Sequence, residues 1–279
     1  MRLPRLFGGR LASQHRENDR RPRGPVRRRL SLAQVPAVTY AVGDVHGHDV
    51  LYRALEARLI ADAARYDGPV LIVVLGDMID RGPRSADLIE HLLTAPPEGI
   101  TRVALMGNHE DMFCRFLDNP DDARAWLGWG GAETLASYGI HADPARGYEL
   151  SAHAFKAKLE TCVPREHRRF LDDLPLSISM PDYAFSHAGG VAARDWEAQE
   201  KDDLIWSDPR ELPEGSFGRT VVHGHVPVPQ VEITRGRIAV DTGAYESGVL
   251  SAVRLVAGEP PVVFAQSHEG PVAPLSEGG

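Results

Sequence analysis

Between Gly43 and Glu110 the chain repeats one arrangement three times: an apolar run of strand length ends in a short signature built from glycine, an acid or amide, and histidine. The runs are Ala37–Val42, Val70–Leu75 and Arg102–Met106. The signatures that follow are Gly43-Asp44-Val45-His46-Gly47, Gly76-Asp77-Met78-Ile79-Asp80-Arg81-Gly82 and Gly107-Asn108-His109-Glu110. Short apolar runs closed by glycine-containing loops read as buried strands. The stretches Leu51–Tyr66 and Ser85–Leu93 between them read as helices. The pattern is β-α-β-α-β, which places the three signatures at neighbouring carboxyl ends of one sheet, where open α/β folds keep their chemistry. Asp44, His46, Asp77 and Asn108 then face one another.

The rest of the composition narrows the class. With 279 residues, 43% hydrophobic and 25% charged, the chain can build one large domain or two small ones. Its net charge of −8 hides an asymmetry, because Met1–Pro36 carries ten Arg against Glu17 and Asp19, about +8, leaving about −16 on the remainder. That balance argues against a uniformly basic nucleic-acid binder. The two cysteines, Cys114 and Cys162, fall in apolar helical stretches without Cys-x-x-Cys spacing, so they read as buried reduced thiols. No apolar run is long enough to span a membrane, and the arginine-bearing start lacks the apolar core of a secretion signal. The expectation is a soluble, cytoplasmic protein.

Residues 1–36, rich in Arg, Pro and Gly, read as a disordered arm. It contains Arg27-Arg28-Arg29-Leu30-Ser31, which is either a docking or modification site or part of a solubilising tail. Residues 37–268 read as one domain with an all-helical insertion at about 111–173, capping one side of the cleft, and 269–279 as a flexible tail. Within the insertion, the glycines of Trp126-Leu127-Gly128-Trp129-Gly130-Gly131 suggest a tight turn near the site rim, although packing explains the tryptophans equally well. The second half is strand-rich, with runs at Leu176–Ser179, Tyr183–Ser186, Thr220–Val222, Val231–Thr234, Arg237–Val240, Gly248–Val256 and Val262–Gln266. Alternation such as Val249/Ser251/Val253/Leu255 predicts a largely antiparallel or mixed second sheet packed on the first, with helices outside.

The residue types specify a chemistry. Asp44 and His46, two apart, can leave one strand end towards the same metal ion. Asp77 can bridge that ion to a second one, Asn108 offers an amide oxygen, and His187 and His225 each directly follow or close a β-like run. Two ions about 3.5–4 Å apart that share a carboxylate make a hydroxide nucleophile near neutral pH and clamp a displacement at phosphorus. Arg81 is placed to hold phosphate oxygens, and Arg210 is a second candidate, with Arg219 competing for that role. His109 can protonate the departing oxygen, with Asp80 orienting its other ring nitrogen. Singly, an Asp-x-His or Asn-His pair is commonly a capped turn; it is their combination that points to a site. Tyr245 and Glu246 either line the mouth of the cleft or serve as ordinary loop residues. His223 reads as structural or as support behind a ligand.

The three signatures, spaced 33 and 31 residues apart at Asp44, Asp77 and Asn108, together with His187, the Gly224-His225-Val226-Pro227 stretch and Asp241-Thr242-Gly243-Ala244, resemble the phosphoprotein phosphatase family of binuclear metallophosphoesterases, particularly its bacterial and bacteriophage lambda branch. The resemblance covers roughly 38–256. It implies a four-layer α/β/β/α sandwich of the calcineurin-like metallophosphoesterase type. It implies Asp44, His46 and Asp77 on a first metal, and Asp77, Asn108, His187 and His225 on a second. It further implies His109 as the acid with Asp80 behind it, and Arg81 and Arg210 as phosphate clamps, with Asn108 and His109 also at the phosphate. The expected reaction is hydrolysis of phosphoserine or phosphothreonine in proteins or peptides by a metal-activated water. Oxygen and nitrogen ligands without thiolate suit Mn²⁺ first, and Fe or Zn²⁺. The alternatives are a symmetrical bis(5'-nucleosyl)-tetraphosphatase and, from another class, a non-catalytic phosphoprotein-binding scaffold. Glu110 and Asp80 favour the phosphatase over the tetraphosphatase.

Overall fold

The computed structural model describes residues 27–272 apart from Asp122, Pro144 and Glu149. Its elements begin with β1 (Arg29–Ser31), β2 (Val38–Val42), α1 (Asp49–Ala63), β3 (Val70–Val74), α2 (Ser85–Leu93) and β4 (Ile100–Ala104). Strands β2, β3 and β4 pair in parallel, Val38 opposite Val70 and Val70 opposite Ile100, so the three signatures emerge side by side from their carboxyl ends. The near-continuous apolar character of β2 and β3 follows from burial on both faces. Val38, Tyr40 and Val42 face the cluster that includes Leu51, Leu55 and Leu59 of α1, whereas Ala41, Leu71 and Val73 face the second sheet.

Four helices follow without an intervening strand among the described residues: α3 (Asn108–Asp118), α4 (Gly131–Ser137), α5 (Ala152–Cys162) and α6 (Arg165–Asp173), with a 3₁₀ turn at Arg124–Trp129. Strands then dominate: β5 (Ser177–Ser179), β6 (Tyr183–Ser186), β7 (Thr220–His223), β8 (Glu232–Thr234), β9 (Arg237–Ala239), β10 (Val249–Leu255), β11 (Val262–Ser267) and β12 (Gly270–Val272), with short helices α7 (Lys201–Ile205) and α8 (Ala244–Ser247). They form two six-stranded mixed sheets, ordered β1-β5-β6-β7-β9-β8 and β12-β11-β10-β2-β3-β4. Val222, Phe185 and Ile178 of one meet Leu71, Val73 and Val253 of the other in a hydrophobic layer. The outer face of the second sheet, through Ala184 and Val221, packs with Leu204, Ile205 and Trp196. The result is the expected α/β fold of two packed mixed sheets with helices outside.

Three assignments differ from the sequence reading. Strands β10 and β11 belong to the first sheet, because β10 runs antiparallel along β2, with Ala252 opposite Val42. Alternation reports which face of a strand is buried and carries no information about which sheet it joins. Secondly, the arm expected at 1–36 is ordered at its end, since β1 pairs in parallel with β5, Arg29 opposite Ser177. Its arginines serve as caps. Arg27 donates to the carbonyls of Leu171 and Asp172 at 2.9 and 2.8 Å, Arg28 to that of Asp173, and Arg29 to that of Glu197. Cations thus satisfy the free carbonyls at the end of α6. Thirdly, Gly270–Val272 of the expected tail pairs with β11. The remainder of the arm and of the tail, 1–26 and 273–279, lies outside the described residues.

Candidate active site

The site gathers where parallel strands of both sheets end. His187 follows β6, and the turn Gly224-His225 follows β7, opposite the signatures after β2, β3 and β4. Asp44, His46, Asp77, Asn108, His109 and His187 are all at most 2% exposed, and His225 is partly buried. The local backbone is held in an uncommon form. Among the described residues the non-glycine positions with positive φ are His46 at 45°, Asp77 at 47°, Asp80 at 72°, Arg81 at 67° and His225 at 69°, and every one belongs to this site. A left-handed non-glycine residue costs on the order of 1–3 kcal/mol and persists where the surroundings over-determine it. Glu110 restrains one of them, Asp77, directly. Its carboxylate accepts from the amides of Gly107, Asp77, Met78 and Ile79 at 2.7–3.3 Å, tying the second signature to the third. Glycine supplies the clearance elsewhere: a Cβ at Gly224 would collide with the Asp44 carboxylate, and one at Gly107 with that of Asp77.

Two groups of metal-ligating atoms share Asp77: His46, Asp77 and His109, and Asp77, His187 and His225, the atoms of each group lying within 4.8 Å of one another. The hydrogen bonds fix what these atoms offer. Nδ1 of His46 lies 2.9 Å from the Ile79 carbonyl and Nδ1 of His187 lies 3.0 Å from that of Leu75, so each Nδ1 carries the proton and, in the neutral ring, each Nε2 presents a lone pair. Nε2 of His187 then faces Asn108 Oδ1 at 2.8 Å, His225 Nδ1 at 3.1 Å and Asp77 Oδ1 at 3.4 Å. Acceptors converging on acceptors is the donor set of a cation site.

The charges agree. Burial lowers the His46 imidazole well below its usual range and lowers His225 to about 3, so both rings are neutral and each offers a lone pair. Burial also opposes protonation of His187, but the Asp77 carboxylate outweighs it and holds the imidazole up. Positive charge is favoured beside Asp77, and a bound cation can supply it. Asp44 is pushed well above the usual carboxylate range by burial, with Asp241 and Asp77 adding repulsion. Its oxygens accept from the His225 amide at 3.1 and 3.2 Å, and Oδ1 stands 4.0 Å from His187 Nδ1, so it borders the second group and belongs to neither by distance. The residues present therefore fit divalent cations held by oxygen and nitrogen.

Asp80 lies behind His109, its Oδ2 2.6 Å from Nδ1. Burial pushes the His109 imidazole down, and the carboxylates of Asp77 and Asp80 overcome it to leave the group above its ordinary value. Arg81 aims one nitrogen at His46 Nε2 at 3.0 Å and another at His109 Nε2 at 3.3 Å. Its guanidinium lies 4.2 Å above the ring of Tyr245, which also meets His46 edge-on. Tyr245 is thus at the mouth. Trp129 lies 6.4 Å from His109, Trp206 lies 6.4 Å from His225, and the two indoles meet edge-to-face.

Arg210 is the sequence candidate that is not brought in. Its guanidinium folds back on Asp208 through bonds of 2.6–3.1 Å and is mostly exposed, because the two residues flank Pro209 in one 3₁₀ turn. Arg219 is no closer to the role, facing Glu197 at 3.6 Å. His223 is buried with Nδ1 on the Gly224 carbonyl at 2.9 Å, lowered to about 4 by burial, and lies in neither ligand group. Cys162 is half-buried and Cys114 fully so, both free. Sequence reasoning passed over Glu110 as an anchor and Trp126 and Thr134 as partners of Asp80. The acid three residues after Gly107 was a legible capping signal for the first, whereas nothing local marks the other two.

Comparison with known proteins agrees with this geometry. Over 231 residues, 77% of this chain and 92% of the relative, the chain is 25% identical to serine/threonine-protein phosphatase 2 of Escherichia coli (strain K12). It is also 25% identical, over 76% of this chain and 88% of the relative, to the asymmetrical bis(5'-nucleosyl)-tetraphosphatase PrpE of Halalkalibacterium halodurans. A crystal structure solved under the provisional name of a diadenosine tetraphosphatase superposes with a TM-score of 0.57 at 20% identity, covering 85% of this chain and 97% of that one, a likeness of fold. Residues 38–265 match the calcineurin-like phosphoesterase family. The resemblance drawn from the three signatures to the phosphoprotein phosphatases agrees with that match, and the chain belongs to the calcineurin-like phosphoesterase family.

Proposed function

We propose that this metallophosphoesterase is a phosphoprotein phosphatase that hydrolyses phosphoserine and phosphothreonine monoesters in proteins or peptides. The observation that carries the reading is the buried His109–Asp80 pair beside Arg81. A serine or threonine oxygen leaves as a strongly basic alkoxide and needs a proton donor. A nucleotide phosphate, with a second pKa of about 6, departs readily without one. In this reading Arg81 holds the phosphoryl oxygens, His109 delivers a proton from Nε2 to the leaving oxygen, and Asp80 keeps Nδ1 protonated. Asp44, His46 and Asp77 hold one divalent ion, and Asp77, Asn108, His187 and His225 the other, with Mn²⁺ the first choice. When bound, such ions supply Lewis acidity at the phosphoryl group and an activated water for direct attack on phosphorus. The free thiols, and the lack among the described residues of any helix long and apolar enough to cross a membrane, are compatible with action on cytoplasmic phosphoproteins.

The second reading is dinucleoside tetraphosphate hydrolysis. The exposed rings of Trp129 and Tyr245 at the mouth favour it, since they offer faces on which a base can stack. Chelator-stripped protein, with Mn²⁺ added back, should turn over a phosphothreonine peptide at least tenfold faster than diadenosine tetraphosphate. Cleavage of the dinucleotide alone would overturn the phosphoprotein reading and leave the metal centre in place.

A further inference from the structure

Asp80 is fully buried and makes more bonds than its pairing with His109 requires. Its Oδ2 accepts from the indole Nε1 of Trp126 at 2.6 Å as well as from His109, and its Oδ1 accepts from the Thr134 hydroxyl at 2.6 Å. The Asp80 amide donates back to Thr134 Oγ1 at 2.8 Å, and Ser85 Oγ lies 3.0 Å from the same oxygen. Between Trp126 and Thr134, the Gly130 carbonyl accepts from the Arg81 amide at 3.1 Å. Gly130 has φ 103°, and a Cβ there would lie 2.5 Å from the Arg81 nitrogen. The 3₁₀ turn (Trp126), the left-handed break (Gly130) and α4 (Thr134) thus all bring a group to the left-handed Asp80-Arg81 pair.

This arrangement holds a carboxylate that local structure does not. Asp80 sits in a strained loop, and rotation about its χ2 would swap its oxygens or turn them away from His109. Two donors from the insertion, one on each oxygen, remove that freedom. A neutral N–H and O–H do so without the competing charge that an Arg or Lys would bring.

We propose that Trp126 and Thr134 are positioning residues for the hydrolysis: by engaging both oxygens of Asp80 they aim it at His109 Nδ1 and so hold the imidazole that protonates the leaving oxygen. This rests on the reading of His109 as the acid. The helical insertion then contributes to the chemistry.

The test exploits leaving groups. Trp126→Phe, Thr134→Val and Thr134→Ser are prepared in the full chain with Mn²⁺, beside His109→Asn, and assayed on a phosphothreonine peptide and on p-nitrophenyl phosphate, whose acidic phenol leaves without assistance. Trp126→Phe and Thr134→Val should each lower kcat on the peptide by about tenfold or more. On the aryl ester the change should stay within about threefold, with KM and bound metal unaltered, and Thr134→Ser should restore the peptide rate. Equal losses on both substrates, or no loss in either variant, overturn the proposal. Thr134→Val nearly conserves volume, so it decides the matter even where the indole is needed for folding. A leaving-group difference in His109→Asn alone removes the positioning role and keeps the acid. Its absence from all four variants overturns both.

Discussion

Nε2 of His187 stands 3.1 Å from Nδ1 of His225, with Asn108 Oδ1 2.8 Å from the same Nε2 and Asp77 Oδ1 at 3.4 Å. Such a convergence of acceptors is stable when a cation lies among them. Asp77 belongs to both ligand groups, so Asp77→Asn should lower content of both metals together with activity. Elemental analysis of dialysed protein reads the first. The same cation should stabilise the fold: at about 100 times its Kd a ligand contributes about 2.7 kcal/mol. A chelator should therefore depress the Tm of the wild type and leave that of Asp77→Asn nearly unmoved. A fully loaded, active Asp77→Asn protein would rule out the bridge.

His109 lies within reach of His46 and Asp77, so distance alone would also permit it as a ligand. If it is the acid, His109→Asn should lower turnover of the peptide by about 10²- to 10⁴-fold while both metals stay bound. Loss of metal from that variant would make it a ligand instead.

Tyr245 lies beneath the Arg81 guanidinium at 4.2 Å and is 37% exposed. A cation–π contact at such a site contributes about 0.5–1 kcal/mol. Tyr245→Leu should accordingly raise KM by about two- to fivefold at nearly constant kcat, and Tyr245→Phe should behave as wild type. Steady-state kinetics on the phosphothreonine peptide check this, and an unchanged KM in the Leu variant would remove Tyr245 from substrate binding.

Away from the site, the α1 residue Glu56 is 4% exposed and bonds Arg102 at 2.7 Å, His91 at 2.5 Å and the Tyr52 hydroxyl at 2.9 Å. Burial opposes its ionisation, but Arg102 and His91 overcome it, so its carboxyl lies below the ordinary value. A depressed carboxyl stabilises the fold above its unfolded pKa, near 4.5, and that contribution fades as pH falls through the folded value. Glu56→Gln should thus cost about 3 kcal/mol at pH 7, the lower end for a broken buried pair because Arg102 keeps carbonyl partners. The gap to wild type should close below about pH 4.5. Urea unfolding at pH 7 and pH 3.5 measures it; a gap independent of pH would mean the cost is one of packing.

Most of the site was legible because its ligands travel in short motifs. Asp44 with His46, and Asn108 with His109, are set by a few residues of local chain at strand ends, and hydrophobic periodicity finds those ends. What escaped depends on side chains meeting across long separations. Trp126 and Thr134 reach Asp80 from 46 and 54 residues away, and no period or composition encodes such a pairing. The same holds for Arg27 and Arg28, just before β1, which read as part of a solvated run until the carbonyl end of α6 is placed beside them. Arg210 failed for the opposite reason: Asp208, two residues away, takes its guanidinium locally.

The position of β10 has a consequence for biosynthesis. All three signatures are made within the first 110 residues, yet the strand that closes the outer edge of β2 begins only at Val249, about 145 residues after β4 ends. At about 5–20 residues per second, the edge of Val-Thr-Tyr-Ala-Val stays open on the nascent chain for roughly 7–30 s. During that interval an apolar strand edge is available to other chains. The demand this enzyme places on a cell's chaperones should therefore peak late in translation, and shortening the chain before Val249 should yield aggregate in place of a smaller phosphatase.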